Sequence, residues 1–443
     1  MSLVFNGVDL TTLTDTQLKQ LCLKYQIATT SEVQTFTKQR LLQEIKSFLT
    51  HKINKYKGRR KSQPNVLKIT KSEGPPQSSE PYNRDRRMSH PITHNEVQVA
   101  KDNHQARLNI LEGKKEIQAM KEDPNMKKYD QLGMYPGVER LVAVGDLHGD
   151  LKVTLQVLRL AKVIPRDIYP NNVDQISWCG GATWLVQCGD QIDRCRPDNW
   201  KKNCIGDWSD VVEDEGSNMA IIKLFLRLDD EAKQYGGRVL GTLGNHELMN
   251  VDKDFRYVSP KEFLEFVPEN QRTTKYTKDG FPLGYYHRAK AFERGGNIAK
   301  TYSIKKKSII TIGSFLFVHG GMSINLAKKY SVAEINQTVS KWLLNQDAEP
   351  ETKLFDEIFR DDDDMSPFWC RIFAEDEDNP ENNLKNFKKL LKIINKKNKL
   401  LMPIKGIVIS HTPQFMEDKY INSLYDDRLW RIDVGMSRAF GKQ

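Results

Sequence analysis

The chain has 443 residues, enough for two or three domains, and its 38% hydrophobic residues suffice for at least one sizeable core. These values exclude a wholly disordered protein. No apolar run reaches the roughly 18 to 20 residues of a membrane-spanning helix, and the N-terminus lacks the basic start and apolar stretch of a secretion signal. We therefore expect a cytoplasmic or nuclear protein that is not secreted and has no membrane span.

The chain has six cysteines, too few to form a disulfide framework at this length. We expect most of them to be reduced thiols. Four lie close together without the paired CxxC spacing of a structural zinc site: Cys179, Cys188, Cys195 and Cys204. A disulfide or a zinc site among these four is the less favoured alternative.

The net charge of +10 is concentrated in one segment. Residues 51–90 contain eleven lysines and arginines but three acids, a net charge of +8, which leaves +2 for the other 403 residues. An anionic partner is therefore expected to meet this segment rather than the rest of the chain.

Residues 1–50 predict a small helical module. Thr14 can cap a helix that runs to about Tyr25, and Thr37 can cap a second helix. The apolar positions of the two helices are Leu18, Leu21 and Cys22, then Leu41, Ile45, Phe48 and Leu49. With FTKQRLLQEIKSFL as its second helix, the segment resembles the SAP-type module, whose members often bind DNA. A helical hairpin that docks on another protein or on the main domain is the alternative.

Residues 51–134 are predicted to form a basic, partly disordered linker, because the segment is polar and contains GPPQSSEP. Its charge could neutralise the phosphates of nucleic acid. A solvated tether without a partner fits the composition equally well.

The remaining residues, 135–443, repeat one pattern five times: an apolar, β-branched run ends and a potential metal ligand follows. The five segments are LVAVGDLHGD at 141–150, TWLVQCGDQIDR at 183–194, GRVLGTLGNHE at 237–247, SFLFVHGG at 314–321 and KGIVISHT at 405–412. Ligands gather beyond the carboxyl ends of strands in α/β architectures, so these five endings can surround one site.

The residue types at these endings suit two metal ions. Asp146 and His148 are two apart at a strand end and point to the same side, and Asp190 can bridge to a second ion. The second ion would be completed by Asn245, His319 and His411. Two ions about 3.5 to 4 Å apart lower the pKa of a shared water and hold phosphoryl oxygens for in-line attack.

Three further residues suit the chemistry of the leaving group and the phosphate. His246 could protonate the departing oxygen, and Asp193 could orient that imidazole and hold it protonated. Arg194 offers a planar fork for phosphate oxygens.

In this order GDLHGD, GDQIDR, GNHE, HGG and HT resemble the calcineurin-type metallophosphoesterases, specifically the phosphoprotein phosphatases. WCGGATWLVQCGDQIDR, LGNHELMNVDKDFRYVS, SPFWCR and RIDVGMS are similar to the bacterial-type branch called Shewanella-like phosphatases. The resemblance implies an α/β fold, a metallophosphoesterase β-sandwich flanked by helices, over residues 135–443.

The resemblance also implies roles for the site residues. It assigns Asp146, His148 and Asp190 to the first metal, and Asp190, Asn245, His319 and His411 to the second. It assigns His246 and Asp193 to the acid pair, and Arg194, Arg371 and Asn245 to substrate phosphate. Two positions depart from the family: Cys195, which would put a thiol near the metals, and Ser410 each stand where glycine is usual.

We therefore predict a metal-dependent phosphoprotein phosphatase that hydrolyses phosphoserine, phosphothreonine or phosphotyrosine with manganese, or iron with zinc. Its partner is a phosphoprotein substrate, and nucleic acid could bind the N-terminal module and linker. The alternatives are a phosphodiesterase or nuclease on the same scaffold, or a nucleic-acid-binding scaffold with an idle site.

Overall fold

The computed structural model describes residues 125–166, 170–196, 204–205, 211–273, 276–361, 363–375, 380–417 and 419–441, with scattered positions between 4 and 45. The chain divides into two compact units, 1–91 and 92–443.

The first unit contains two short antiparallel strands, β1 (Val4–Phe5) and β2 (Val8–Asp9). Both predicted helix starts agree with the structure: the Leu18 amide donates to Thr14 O, and the Leu41 amide to Thr37 O, each at 3.0 Å. The predicted core positions Leu18, Leu41 and Ile45 are buried. The other apolar positions, the SAP-like extension and residues 51–124 of the linker lie outside the described residues.

The second unit is built on two sheets. The first sheet is parallel and consists of β4 (Leu141–Val144), β5 (Trp184–Gln187), β6 (Arg238–Thr242) and β7 (Lys306–Lys307) in that order. The second sheet is mixed and comprises β3 (Met134–Tyr135), β8 (Ile309–Ile312), β9 (Phe315–Val318), β10 (Gly406–Ile409), β11 (Asn422–Leu424) and β12 (Leu429–Arg431). Its spatial order is β11-β12-β10-β9-β8-β3.

The sheets pack face to face because side chains alternate along each strand. Trp184 and Val186 of β5 join Phe317 of β9 and Val408 of β10 in one buried cluster between the sheets. Leu185, from the same strand as Trp184, belongs instead to the cluster beneath the helices that cover the first sheet.

Helices cover both outer faces of the sandwich. They are α1 (Met126–Leu132), α2 (Leu151–Leu160), α3 (Asn218–Ala232), α4 (Asn245–Val251), α5 (Pro260–Leu264), α6 (Tyr285–Phe292), α7 (Asn297–Lys305), α8 (Ile324–Lys329), α9 (Val332–Leu343), α10 (Glu349–Asp356) and α11 (Pro380–Lys397). Apolar faces of α2 and α3 pack on the first sheet, while α7, α9 and α11 pack on the second. The predicted β-sandwich flanked by helices is confirmed.

The structured part of the second unit extends N-terminal to the expected boundary at residue 135. Asp130, in α1, accepts hydrogen bonds from Tyr135 Oη and Arg238 Nη1, both at 2.9 Å. Leu132 O accepts from Asn336 Nδ2 at 3.0 Å, and β3 pairs with β8. The helix α1 and the strand β3 are therefore part of the sandwich, and a boundary at residue 135 would cut through it.

Within the described residues, no helix has both the length and the apolar character needed to cross a membrane.

We expect that a chain without residues 1–124 keeps the thermal stability and small-substrate turnover of the full chain. A chain without residues 1–133 should melt about 5 to 10 °C lower, because it loses the α1 hydrogen bonds to Arg238 and Asn336. Calorimetry and turnover of both deletions test this. Loss of turnover in the shorter deletion would show that the N-terminal segments are needed for catalysis.

Candidate active site

Five strands of the two sheets end at one buried group of polar residues. Strand β4 leads to Asp146 and His148, β5 to Asp190, β6 to Asn245, β9 to His319 and β10 to His411. Each of these six side chains is less than 9% exposed. The six predicted metal ligands are therefore all buried at the carboxyl ends of the strands.

Asp190 is the point at which the loops meet. Its carbonyl oxygen accepts from the amides of Leu147 at 2.9 Å and His148 at 3.0 Å. These two bonds connect the first loop, which follows β4, to the second loop, which follows β5. Its own amide donates to Glu247 Oε2 at 3.0 Å, on helix α4. Gly244 lies so close that a Cβ there would collide with Asp190 Oδ1. Gly244 therefore allows the third loop, which follows β6, to contact the second loop.

Four site residues have left-handed backbone: His148 at φ 43°, Asp190 at 52°, Asp193 at 72° and His411 at 65°. Such angles are uncommon for residues with a Cβ and cluster at functional sites, because the surrounding structure must hold them. The loop hydrogen bonds to Asp190 supply part of that support.

The first potential metal group lies between the first two loops. His148 Nε2 is 3.7 Å from Asp146 Oδ2 and 4.0 Å from Asp190 Oδ2. The other ring nitrogen, Nδ1, faces Ile192 O at 3.4 Å. A carbonyl on Nδ1 favours the tautomer whose Nε2 lone pair is available as a ligand.

The second potential metal group brings acceptor atoms together. His319 Nδ1 lies 2.7 Å from Cys188 O, so its Nε2 faces Asn245 Oδ1 at 2.9 Å and Asp190 Oδ2 at 3.2 Å. The ring centre of His411 is 5.0 Å from that of His319. If Nδ1 carries the ring hydrogen, Nε2 and two oxygens face one another as acceptors, an arrangement that needs a cation.

Three buried atoms in or beside these two groups have no hydrogen-bond partner within the described part of the chain: Asp146 Oδ2, His411 Nε2 and Asp433 Oδ2. Buried polar atoms are normally satisfied, so unsatisfied carboxylate and imidazole atoms in one place indicate a cation-binding site. The donor set therefore fits metal ions of the kind that bind oxygen and imidazole nitrogen. Two sets of side chains have potential ligand atoms that all lie within 4.8 Å of one another: His148, Asp190 and His246, and Asp190, His319 and His411. The first set contains His246, predicted as the acid, and not the predicted ligand Asp146.

Charge within the site is unevenly balanced. Burial and the nearby Asp433 carboxylate raise the pKa of Asp146 well above its ordinary value. Burial also acts to raise the pKa of Asp190, but the imidazoles of His319 and His246 outweigh it and lower that pKa. Burial lowers the pKa of His319, yet Asp190 and Asp146 raise it to about 10. The imidazoles thus favour the anionic form of Asp190, whereas burial and the Asp433 charge disfavour the anionic form of Asp146.

Two contacts of Asp146 were not predicted from the sequence. Ser410 Oγ donates a hydrogen bond to Asp146 Oδ1, so the serine that replaces the usual glycine touches a predicted metal ligand. Asp433, which follows strand β12, has a side chain that lies against Asp146. The RIDVGMS string contained Asp433, but β12 was not recognised as a sixth strand leading to the site.

The two residues of the predicted acid pair are in contact. His246 Nδ1 is 2.7 Å from Asp193 Oδ2, and His246 Nε2 is 3.7 Å from Asp190 Oδ2. Asp193 also accepts from Asn250 Nδ2 at 2.9 Å and from Arg288 Nη2 at 3.2 Å. The imidazole is therefore held at Nδ1, while Nε2 points toward the ligand group.

Arg288 is fully buried and was not predicted as a site residue. Its Nε donates to Asn250 Oδ1 at 2.8 Å, and Nη2 also donates to Asn218 Oδ1 at 2.9 Å. The guanidinium lies 4.9 Å from the Phe292 ring centre, in a pocket of aromatic rings. Sequence alone offers no signal for this residue, because α6 brings it to Asp193 from 95 residues away.

Arg194, expected to bind phosphate, is engaged elsewhere. Its side chain is fully buried, with Nη1 3.2 Å from Asp150 Oδ2. Nε donates to Val212 O at 3.2 Å and Nη2 to Glu213 O at 3.0 Å. Its Nη1 has no hydrogen-bond partner in the part of the chain that the structure describes, and phosphate binding by Arg194 stays a prediction.

Cys195 is not the free thiol expected beside the metals, because it forms a disulfide with Cys204. The bonded pair comes from the sequence cluster in which a disulfide was the less favoured alternative. The Cys195 amide donates to Tyr257 O at 2.9 Å, and the Cys204 amide to Arg256 O at 2.8 Å. The disulfide therefore joins two segments that both bind the loop after α4.

Arg371, the second expected phosphate ligand, lies beside the His411 loop. Its Nη1 donates to Thr412 Oγ1 at 3.0 Å, and its side chain is exposed. Burial lowers the pKa of His411 well below its ordinary value, and the Arg371 charge lowers it further. The guanidinium is thus close enough to the second ligand group to act on it electrostatically.

We expect Arg288→Met to lower the free energy of unfolding by about 3 to 5 kcal/mol, because it leaves the buried Asp193 carboxylate without its cationic partner. Urea unfolding measures this loss. Arg256→Met is the control: that arginine pairs with Asp254 at the surface, so the change should cost about 1 kcal/mol or less. Equal losses in the two variants would contradict a special role for the buried pair.

The chain is similar to several known proteins. The chain is 28% identical over 346 residues to Shewanella-like protein phosphatase 2 of Arabidopsis thaliana, covering 72% of this chain and 76% of that protein. It is 26% identical over 311 residues to Shewanella-like protein phosphatase 1 of Plasmodium berghei, covering 70% of each. A crystal structure of a cold-active protein-tyrosine phosphatase of a psychrophilic Shewanella species is 20% identical, with a TM-score of 0.45, over 71% of this chain and 77% of that one.

Residues 139–415 match the calcineurin-like phosphoesterase family. The match leaves out residues 1–138, so it gives no support to the SAP-like resemblance or to nucleic-acid binding. It does include the ends of the five predicted ligand-bearing strands. Because it spans more than half of the sequence, this chain belongs to the calcineurin-like phosphoesterase family, and it is an enzyme of the phosphoesterase class.

Proposed function

We propose that this protein is a metal-dependent phosphoprotein phosphatase that hydrolyses phosphomonoesters. The observation that carries the proposal is the His246–Asp193 pair, 2.7 Å apart, with His246 Nε2 turned toward Asp190 in the middle of two potential metal groups. This arrangement joins a proton donor to a site for phosphoryl oxygens, the two parts that hydrolysis of a phosphate ester needs.

Two metal ions would be held by the buried ligand groups. We assign Asp146, His148 and Asp190 to one ion, and Asp190, Asn245, His319 and His411 to the other. Metal ions in such sites activate water and neutralise charge on phosphoryl oxygens. Manganese, or iron with zinc, suits this mixture of carboxylate, amide and imidazole ligands.

The chain itself would supply the proton for the leaving group. Asp193 binds Nδ1 of His246 and so leaves Nε2 as the atom that can donate to the departing oxygen. Asn250 and Arg288 in turn hold the Asp193 carboxylate from two sides. The orientation of the acid therefore depends on α4 and α6 as well as on the loop that bears Asp193.

The proposed substrate is a phosphoprotein. Similarity to two proteins named Shewanella-like protein phosphatases supports this class, over most of the chain in each case. Arg371 is exposed and donates to Thr412 beside the second ligand group, which supports a contact with a phosphate that enters from solvent. Phosphoserine, phosphothreonine and phosphotyrosine all remain within the proposal, and the experiments below separate them.

The two alternatives have less support. A nuclease or other phosphodiesterase depended on a DNA-binding N-terminal module, and the family match begins only at residue 139. A scaffold with an idle site would bury unsatisfied carboxylate and imidazole atoms without use, which is energetically costly.

We expect His246→Asn to lower kcat for phosphoserine, phosphothreonine and phosphotyrosine peptides by about 10²- to 10⁴-fold, because their basic leaving oxygens need a proton. The loss should be smaller for p-nitrophenyl phosphate, whose leaving group is weakly basic. Steady-state assays of the peptides and of p-nitrophenyl phosphate measure this difference, and their wild-type rates rank the three phosphorylated residues.

The control for that experiment is His287→Asn, because His287 is an exposed histidine of α6 outside the site. It should leave every rate unchanged. Bis-p-nitrophenyl phosphate is assayed in parallel, and faster hydrolysis of this diester than of the monoester would favour the phosphodiesterase instead.

We expect Asp190→Asn to reduce bound metal from about two ions per chain to fewer than one, since this carboxylate serves both groups. Turnover should fall to background. Elemental analysis of the purified variant measures the metal content independently of activity. His246→Asn should retain both ions; loss of one ion in that variant would instead make His246 a metal ligand.

A further inference from the structure

Glu247 is a fully buried residue whose carboxylate binds main-chain amides of two loops. Its Oε2 accepts from the amides of Gly244 at 2.7 Å and Asp190 at 3.0 Å. Its Oε1 accepts from the Gln191 amide at 2.9 Å. All three partners are N–H donors, so a neutral glutamine at this position would turn its own amide group toward at least one of them. The connection between the loops after β5 and β6 therefore needs an ionised carboxylate.

Lys306 supplies a positive charge beside this carboxylate. Its side chain is 8% exposed, and its Nζ is 3.6 Å from Glu247 Oε1. In the part of the chain that the structure describes, no other lysine, arginine or histidine forms an ion pair with Glu247. A buried anion that loses its cationic partner is strongly destabilised. Removal of the ammonium would therefore favour protonation of Glu247 and weaken the acceptor that three amides share.

Strand pairing determines the position of Lys306. The short strand β7 pairs in parallel with β6, and Lys306 lies opposite Gly241. Its Nζ donates to Thr242 O at 3.5 Å, at the end of β6, where the third loop begins. Successive side chains of a strand point to opposite faces, and Lys307 accordingly donates elsewhere, to Ser303 O at 3.2 Å. Only the first lysine of β7 therefore contacts the loop junction.

The charge of Lys306 also interacts with the ligand that the two metal groups share. Burial lowers the pKa of Lys306, while the carboxylates of Glu247 and Asp190 act to raise it. The two carboxylates thus favour the ammonium form of Lys306, and the ammonium in turn favours both anions. Lys306 is therefore linked to Asp190 in two ways, through the charge of its carboxylate and through the amide that Glu247 binds.

We propose that Lys306 is a positioning residue for the second metal group and acts through Glu247 on the loops that carry Asp190 and Asn245. The proposal rests on the metal-dependent phosphatase function proposed above, and it adds a residue outside the ligand set and the acid pair. Asn245 directly follows Gly244, whose amide Glu247 binds. The second group thus takes two ligands from the connected loops, whereas the first group takes only Asp190, so the second group depends more strongly on Lys306.

The test is manganese binding by the full-length protein, measured by calorimetry without substrate. Lys306→Met keeps an unbranched side chain and removes the charge. We expect the dissociation constant of the ion in the second group to rise about 10- to 100-fold, the size of effect seen when residues that support metal ligands are changed. The ion of the first group should be affected less. Asn245→Ala removes a ligand of the second group only, so a parallel titration of that variant identifies the ion.

Lys307→Met is the matched control, because Lys307 lies in the same strand and its Nζ donates to main-chain carbonyl oxygens rather than to a carboxylate. Its manganese affinity should equal that of the wild type. Lys306→Arg keeps the charge, and Lys306 lines a cleft of about 30 Å³ that gives the larger side chain room. We expect this variant to recover most of the affinity. A loss as large as that of Lys306→Met in folded Lys306→Arg would overturn a role of the charge.

Wild-type manganese affinity in a folded Lys306→Met variant would overturn the proposal. If this variant does not fold, the same titration of Lys306→Gln decides the question: weaker binding of the second ion supports the role, and wild-type binding overturns it. Hydrogen exchange of the amides of Asp190, Gln191 and Gly244 is a second measurement that needs no metal, and we expect faster exchange when Lys306 is replaced. If the wild type binds no manganese, the proposed function fails separately, and unchanged exchange of these amides would overturn the role of Lys306.

Discussion

Three buried carboxylates, those of Asp146, Asp190 and Asp433, lie together where strands of both sheets end, and the rest of the site depends on how their charge is balanced. Like charges repel strongly away from water, so the group requires cations. His319 lies 3.2 Å from Asp190 but would be neutral as a metal ligand, so the unsatisfied oxygen atoms of Asp146 and Asp433 need positive charge from another source. The proposed metal binding by this chain has its physical basis in that arrangement.

Asp190, whose carboxylate is shared by the two ligand groups, also connects the loops through its main chain. The carbonyl oxygen of Asp190 accepts hydrogen bonds from two amides of the loop after β4, and its amide donates to Glu247 of α4, the helix that follows β6. Gly244 allows the close approach because it has no side chain. Movement of any one of these loops would therefore disturb the positions of ligands on the other two.

A second buried charge network positions the acid pair. One Asp193 oxygen contacts His246 and the other accepts from Arg288, while Asn250 of α4 donates to both oxygens. Because Arg288 is fully enclosed by protein, its charge is weakly screened and interacts strongly with the buried Asp193 carboxylate. The helices outside the sandwich thus help to orient the imidazole of the proposed acid.

The sequence alone was sufficient for features that depend on local pattern. Apolar runs followed by Asp, Asn or His predicted the strand ends, and the order of motifs predicted the family, the β-sandwich and the grouping of His148, Asp190, His319 and His411. These succeed because a strand's direction places the residue after it at a known edge of the sheet. The packing of α1 against the sandwich was missed, since its stabilising contact with Arg238 spans 108 residues.

Tertiary structure alone decided which charged side chains face the site. Arg194 and Arg196 lie in the same short loop, yet one is enclosed by Asp150 and two carbonyl oxygens while the other lies between rings that contact His148 and His246. The disulfide of Cys195 and the approach of Arg288 to Asp193 were likewise decided by folding. Sequence pattern specifies where a strand ends, but the direction of a long side chain depends on partners that only the folded chain brings together.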